Sequence, residues 1–165
     1  DEGKLQDLFY SLSDTTLYQR FQRVIKCIPH SERRYYLDVD YKKNMALICE
    51  TCQEDRDPEI VGVAQYFLDS ISGFAEASFV IRDAWQGQGL GTLMISHLIS
   101  IARENGIKGL TADVLASNGA MLHVFYKSGL KIHSTLVEGV YRLNMPFSRP
   151  GKHSNEEGRL QLQEA

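Results

Sequence analysis

Apolar positions along this chain recur at two spacings, and their order predicts the elements. Lys4–Tyr10 reads as a short strand. Ser13 and Asp14 then offer an N-cap, and Leu17, Phe21, Val24, Ile25 and Ile28 follow at helical spacing until Pro29 ends the helix. Ser31 caps a second, short helix through Tyr36 and Leu37. Met45–Cys52 and Ile60–Leu68 are apolar runs separated by the acidic turn Gln53–Pro58, which predicts a hairpin. After a turn at Asp69–Gly73 comes the strand Phe74–Ile81. Gly89–Asn105 is a helix with Leu90, Leu93, Met94, Leu98, Ile101 and Ala102 on one face, ended by Asn105-Gly106. Leu110–Leu115 is a strand, and Ser117-Asn118 starts a helix that buries Met121, Leu122, Phe125 and Leu130 and stops at Gly129. Lys131–Ser134 and Val137–Met145 are the last two strands. The order β-α-α-β-β-β-α-β-α-β-β predicts an α/β (α+β) domain, with helices on both faces of a central mixed sheet of about seven strands. Residues 1–147 form this domain, and 148–165 form a polar tail with little apolar content until Leu160 and Leu162.

Composition narrows the function classes. At 165 residues the chain is most simply one domain with a real core. A net charge of -3 gives no electrostatic case for nucleic acid. No apolar run approaches the ~20 residues needed to span a bilayer. No signal peptide is visible, and a first residue of Asp reads as a fragment or a processed chain. Cys27, Cys49 and Cys52 are odd in number, and no second Cys or His pair at ligand spacing accompanies Cys49-x-x-Cys52. They read as strand cysteines in a reducing cytoplasm, with no metal expected.

The chemistry concentrates between Phe79 and Thr92. An apolar strand runs into Asp83-Ala84-Trp85-Gln86-Gly87-Gln88-Gly89-Leu90-Gly91-Thr92, a Gly-rich turn that opens a helix. Such a turn aims unpaired N–H groups and the positive end of the helix dipole at one point, which suits a phosphate or pyrophosphate. A mononucleotide P-loop would need Gly-Lys-Ser/Thr, and a dinucleotide loop would need Gly-x-Gly-x-x-Gly. Glycines at 87, 89 and 91 with no Lys fit neither. A turn that binds nothing would use the same residues.

The spelling Gln86-x-x-Gly89-x-Gly91 resembles the acyl-CoA pyrophosphate loop of the GCN5-related N-acetyltransferases (GNAT). The element order is similar to that family over residues 4–147. Ala75-Glu76-Ala77, Asp113-Val114-Leu115-Ala116-Ser117-Asn118, Met121 and Ser128-Gly129-Leu130-Lys131 resemble most closely the acetyltransferase domain of bacterial protein-lysine acetyltransferases. The resemblance implies a splayed strand whose Phe79, Val80 and Ile81 offer backbone groups to the pantetheine arm, as in strand addition. It implies that Gln86, Gly87, Gln88, Gly89, Leu90, Gly91 and Thr92 hold the pyrophosphate, and that Asn118 contacts the acyl-CoA arm besides capping its helix. Acetyl-CoA would be the cosubstrate and an amine, by resemblance a protein lysine, the acceptor.

Transfer to an amine needs a base, because a lysine-like amine is charged at pH 7. Glu76 is the first candidate: its neighbours are apolar, and partial burial would raise its pKa. Asp113, five residues before Asn118 on the next strand, is the second. The plain readings are a solvent-facing carboxylate and a strand-end one. Many members carry a Tyr, as general acid, at the place of Phe125. Tyr126 is the next residue and turns ~100° away around the helix. His97, His123 and His133 read as surface or packed residues, Arg33-Arg34-Tyr35-Tyr36 as a solvated face, and Trp85 as a packing anchor. No Cys is placed as a nucleophile, which favours direct attack in a ternary complex. The alternatives are a small-molecule amine acetyltransferase and a non-catalytic acyl-CoA-sensing module. An exposed edge after the last strands would permit a homodimer.

Overall fold

The computed structural model describes residues 2–23, 39–52 and 57–148. The chain opens with a helix, α1 (Glu2–Tyr10), where the sequence reading expects a strand. Leu5, Leu8, Phe9 and Leu12 are all buried, and their spacing of three and four is a helical stripe. In α2 (Asp14–Phe21) Ser13 is the N-cap, its side chain accepting from Thr16 N–H. This helix stops short of the expected Ile28: Gln22 takes a left-handed conformation (φ 54°) and its N–H caps Tyr18 O. Val24, Ile25, Ile28, the helix expected from Ser31, the Arg33–Tyr36 cluster, Cys27 and the tail beyond 148 lie outside the described residues.

Among the described residues six strands form one sheet in the order β1-β2-β3-β4-β6-β5. They are β1 (Asn44–Glu50), β2 (Ile60–Leu68), β3 (Phe74–Ile81), β4 (Gly109–Leu115), β5 (His133–Val137) and β6 (Val140–Pro146). The expected β1–β2 hairpin forms, with Asn44 opposite Phe67 and Glu50 opposite Ile60. Every pairing is antiparallel except β3 with β4. The sheet is therefore mixed and mostly antiparallel, as expected. The strand missing from the expected set is the first, because that segment is α1.

Two hydrophobic clusters sandwich the sheet. On one face α3 (Leu90–Glu104) and α4 (Gly119–Tyr126) pack on β2, β3, β4 and β6 through Met94, Ile95, Leu98, Ala102 and Phe125. On the other, α1 packs on Ile60, Val63 and Val80, with Leu17 and Phe21 of α2 against its edge. The α3 stripe differs in one place from expectation: Leu93 is 55% exposed, and Ile95 and Ile99 are buried instead. A face centred on 94, 95, 98, 99 and 102 leaves position 93 turned toward solvent.

Candidate active site

The parallel pairing of β3 and β4 is brief. Phe74, Ala75 and Glu76 lie opposite Gly109, Leu110 and Thr111, and pairing goes no further. Beyond that point, among the described residues, Ala77–Ile81 pairs only with β2, and Ala112–Leu115 only with β6. Two strand edges therefore diverge with backbone N–H and C=O groups facing a gap, and such groups need partners. The gap opens into a cleft of about 940 Å³. Its walls include β3 from Glu76 to Ile81, β4 from Ala112 to Val114, Asn118 at the N-cap of α4, and Phe125 within that helix. Its floor at one end is the Gly-rich turn.

That turn is built by three glycines with different tasks. Gly87 (φ 71°) and Gly89 (φ 84°) are left-handed, with open space where a Cβ would stand. Their need is conformational. Gly91 is different: a Cβ there would meet Val124 Cγ2 at 2.9 Å. It allows α3 to approach α4, which is a packing role. The N–H groups of Leu90, Gly91 and Thr92 have no carbonyl one turn back. Leu93 N–H is the first to meet one, at Gly89 O, 3.0 Å away. Gly87, Gly89, Gly91 and Thr92 line the cleft, whereas Gln88 and Leu90 do not. Gln88 Nε2 instead donates to Ala84 O at 2.9 Å.

Gln86 also lines the cleft, but its side chain is engaged. Nε2 donates to Ile81 O at 2.9 Å and to Thr16 Oγ1 at 3.2 Å. Thr16 is 8% exposed, and its hydroxyl donates to Asp83 Oδ1 at 2.8 Å. The same carboxylate takes Ser13 Oγ–H at 2.6 Å and Ser13 N–H at 3.0 Å. Burial pushes the Asp83 carboxyl up, but the hydrogen bonds from Ser13 and Thr16 outweigh it and hold the group below the usual carboxylate value. The far end of α2 reaches both sides of the gap. Arg20 Nη2 donates to Ser78 Oγ at 3.0 Å on β3, and Gln22 Nε2 donates to Asp113 O at 3.4 Å on β4. Thr16, Gln19, Arg20, Gln22 and Arg23 all line the cleft. Sequence reading assigned none of them, because their partners are distant along the chain.

Glu76 and Asp113 both line the cleft, and both are exposed. Partial burial of Glu76 was expected from its neighbours and does not occur. Strand alternation turns Ala75, Ala77, Phe79 and Ile81 into the main core and Glu76 and Ser78 to the opposite face. Asp113 shares that face, since Ala112 and Val114 point into the core. The two candidate carboxylates thus stand on the same side of diverging strands. Asn118 caps α4, accepting Met121 N–H at 3.1 Å, and also faces the cleft.

Phe125 is 1% exposed and packs edge-on against Phe79, with ring centroids 5.7 Å apart. Tyr126 is 55% exposed and does not line the cleft, so it does not replace a Tyr at position 125. Trp85 is partly buried against the core beside the turn, as expected of an anchor. His97 and His133 are exposed, while His123 borders the cleft. Among the described residues, no three His, Cys, Asp or Glu side chains gather to hold a metal ion, and no helix is long and apolar enough to cross a membrane.

Comparison with known proteins agrees with this geometry. An acetyltransferase of Pseudomonas aeruginosa is 31% identical over 121 residues, which is 73% of this chain and 64% of that protein. The acetyltransferase Pat of Mycolicibacterium smegmatis is 29% identical over 118 residues, 71% of this chain and 34% of that one. The chain thus spans less than two thirds of either relative's length. The GNAT domain of S. lividans PAT superposes with a TM-score of 0.79 at 24% identity, covering 89% of this chain and 85% of that domain. Residues 13–130 match the profile of the acetyltransferase (GNAT) family, and the chain belongs to that family.

Proposed function

We propose that the chain is a cytoplasmic acetyl-CoA-dependent N-acetyltransferase, that residues 1–147 are its acetyltransferase unit, and that its acceptor is a protein lysine. The observation that carries the reading is the end of β3–β4 pairing at Glu76, which opens a cleft running onto the start of α3. The free strand edges suit the amides of a pantetheine arm, and the N–H groups at the start of α3 suit a pyrophosphate. Gly87, Gly89, Gly91 and Thr92 would hold the latter, with Gln86 shaping the turn, and Phe79, Val80, Ile81 and Asn118 would flank the arm. The cosubstrate supplies an acyl thioester.

The chain's own residues supply the proton chemistry. A lysine amine has a reference pKa of ~10.4 and must lose a proton before it attacks. Glu76 takes that proton, directly or through water, with Asp113 as the rival base. Nitrogen forms the new bond to the carbonyl carbon, the C–S bond breaks, and the pair leaves on sulfur. A thiol pKa of ~8.5 makes that group able to leave without an acid. This agrees with Phe125 at the place of the family's usual Tyr.

The test is acetyl-CoA titration by calorimetry, followed by free-thiol release with a lysine peptide and with a polyamine. Binding with release on the peptide supports lysine acetylation; release on the polyamine alone moves the acceptor to small amines. Glu76→Gln should keep binding and lower turnover by about 10²–10⁴-fold. Loss confined to Asp113→Asn would reverse the ranking of the two bases, and absence of binding would end the acyl-CoA reading.

A further inference from the structure

Helix α2 is fastened at both ends, and the two fastenings belong to different halves of the cleft. At its start Thr16 joins Asp83 at 2.8 Å and Gln86 at 3.2 Å, residues that shape the Gly-rich turn. At its end Arg20 holds Ser78 beside Glu76 on β3, and Gln22 holds the carbonyl of Asp113 on β4. A helix of eight residues behaves as one rigid body over this length, so a shift at one end is felt at the other. We propose that α2 couples the donor end of the cleft to the acceptor end, with Thr16 as the positioning residue. The inference rests on the acyl-CoA reading of the turn.

Thr16 is suited to the task because its one hydroxyl does two jobs. It donates to Oδ1 of the Asp83 carboxylate, whose two oxygens already take one hydrogen bond each from Ser13, and it accepts from Gln86 Nε2. Gln86 also grips Ile81 O, the last carbonyl of β3. Order imposed on the turn by a bound pyrophosphate therefore passes to Thr16 and along α2 to Gln22. Binding at one site then lowers the ordering cost at the other, which is reciprocal coupling without a large movement.

Hydrogen exchange followed by mass spectrometry, with coenzyme A as the probe, tests this without any acceptor. In the wild-type chain coenzyme A should slow exchange in residues 86–93 and also, by about tenfold, in residues 17–22 of α2. Thr16→Val keeps the shape and removes the hydroxyl. It should retain the protection at 86–93 and cut the gain in α2 to less than about twofold. Thr16→Ser should restore the gain. A merely structural Thr16 would raise α2 exchange equally with and without coenzyme A, leaving the ratio unchanged, and that result overturns the proposal. Protection of the turn with none in wild-type α2 overturns it as well. No protection of the turn at all fails the acyl-CoA reading instead. Should Thr16→Val not fold, Thr16→Ala removes the same hydroxyl and is read identically.

Discussion

Replacing Gly91 by alanine puts a methyl group into space that Val124 already fills. The new Cβ would stand 2.9 Å from Val124 Cγ2, 3.6 Å from Cγ1 and 3.4 Å from Ile81 Cδ1. Saturated carbons rest at about 3.5–4.0 Å, so the nearest pair must separate by roughly 0.6 Å or more. Val124 cannot swing aside cheaply, because a valine in a helix has one strongly preferred rotamer. Overpacking of this kind costs about 1–3 kcal/mol. Against that, alanine is favoured over glycine in a helix by up to about 1 kcal/mol. Gly91→Ala should therefore lower stability by about 1–2 kcal/mol. In a Val124→Ala background both valine contacts vanish, the 2.9 Å one included, leaving only the flexible end of Ile81 at 3.4 Å. There the same substitution should be neutral or stabilising by up to about 1 kcal/mol. Urea unfolding read by the single tryptophan, Trp85, measures all four corners of the cycle. Additivity within about 0.5 kcal/mol would refute the packing account of Gly91.

Two further outcomes follow from polar groups. Gln65 is 1% exposed and both its side-chain polar atoms lack a partner among the described residues, so Gln65→Leu should raise stability by about 1–3 kcal/mol; a lower urea midpoint would contradict this. Among the described residues three carboxyls are held below their ordinary value of 3.8: Asp40 by the N–H groups of Asn44, Lys42 and Lys43; Asp69 by Ser72 and the Ile71 N–H; and Asp83, despite burial, by Ser13 and Thr16. A folded value below the unfolded one gives stability that is full above the unfolded value and fades as pH falls through the folded one. The melting temperature should thus drop on acidification below about pH 4. Asp83→Asn should shrink that drop, and an undiminished drop would refute its share.

What the sequence disclosed divides by range along the chain. The β1–β2 hairpin, the helix from Leu90 and the Gly-rich turn were legible because their signals are local: alternation, caps and glycines within one window. The first helix was also written locally, as Leu5, Leu8, Phe9 and Leu12, but a window closed at Tyr10 omits the residue that completes the stripe. Glu76 lines the cleft, though not through the partial burial expected of it, since alternation from Ala75 and Ala77 already turns it away from the core. The tie between Thr16 and Asp83 spans 67 residues and leaves no local trace. Nor does the contact of Gly91 with Val124, which only the docking of α3 on α4 creates.

The divergence of β3 from β4 also bears on how long the molecule survives in a cell. A sheet with open edges from Ala77 to Ile81 is incompletely cross-linked. Whatever completes it joins the folding equilibrium. Donor present at 100 times its dissociation constant would add about 2.7 kcal/mol to the native state. Degradation that begins from opened chains would slow in proportion. Abundance would then follow metabolic supply: a well-fed cell would keep the protein, and a starved one would lose it, with no dedicated regulator involved.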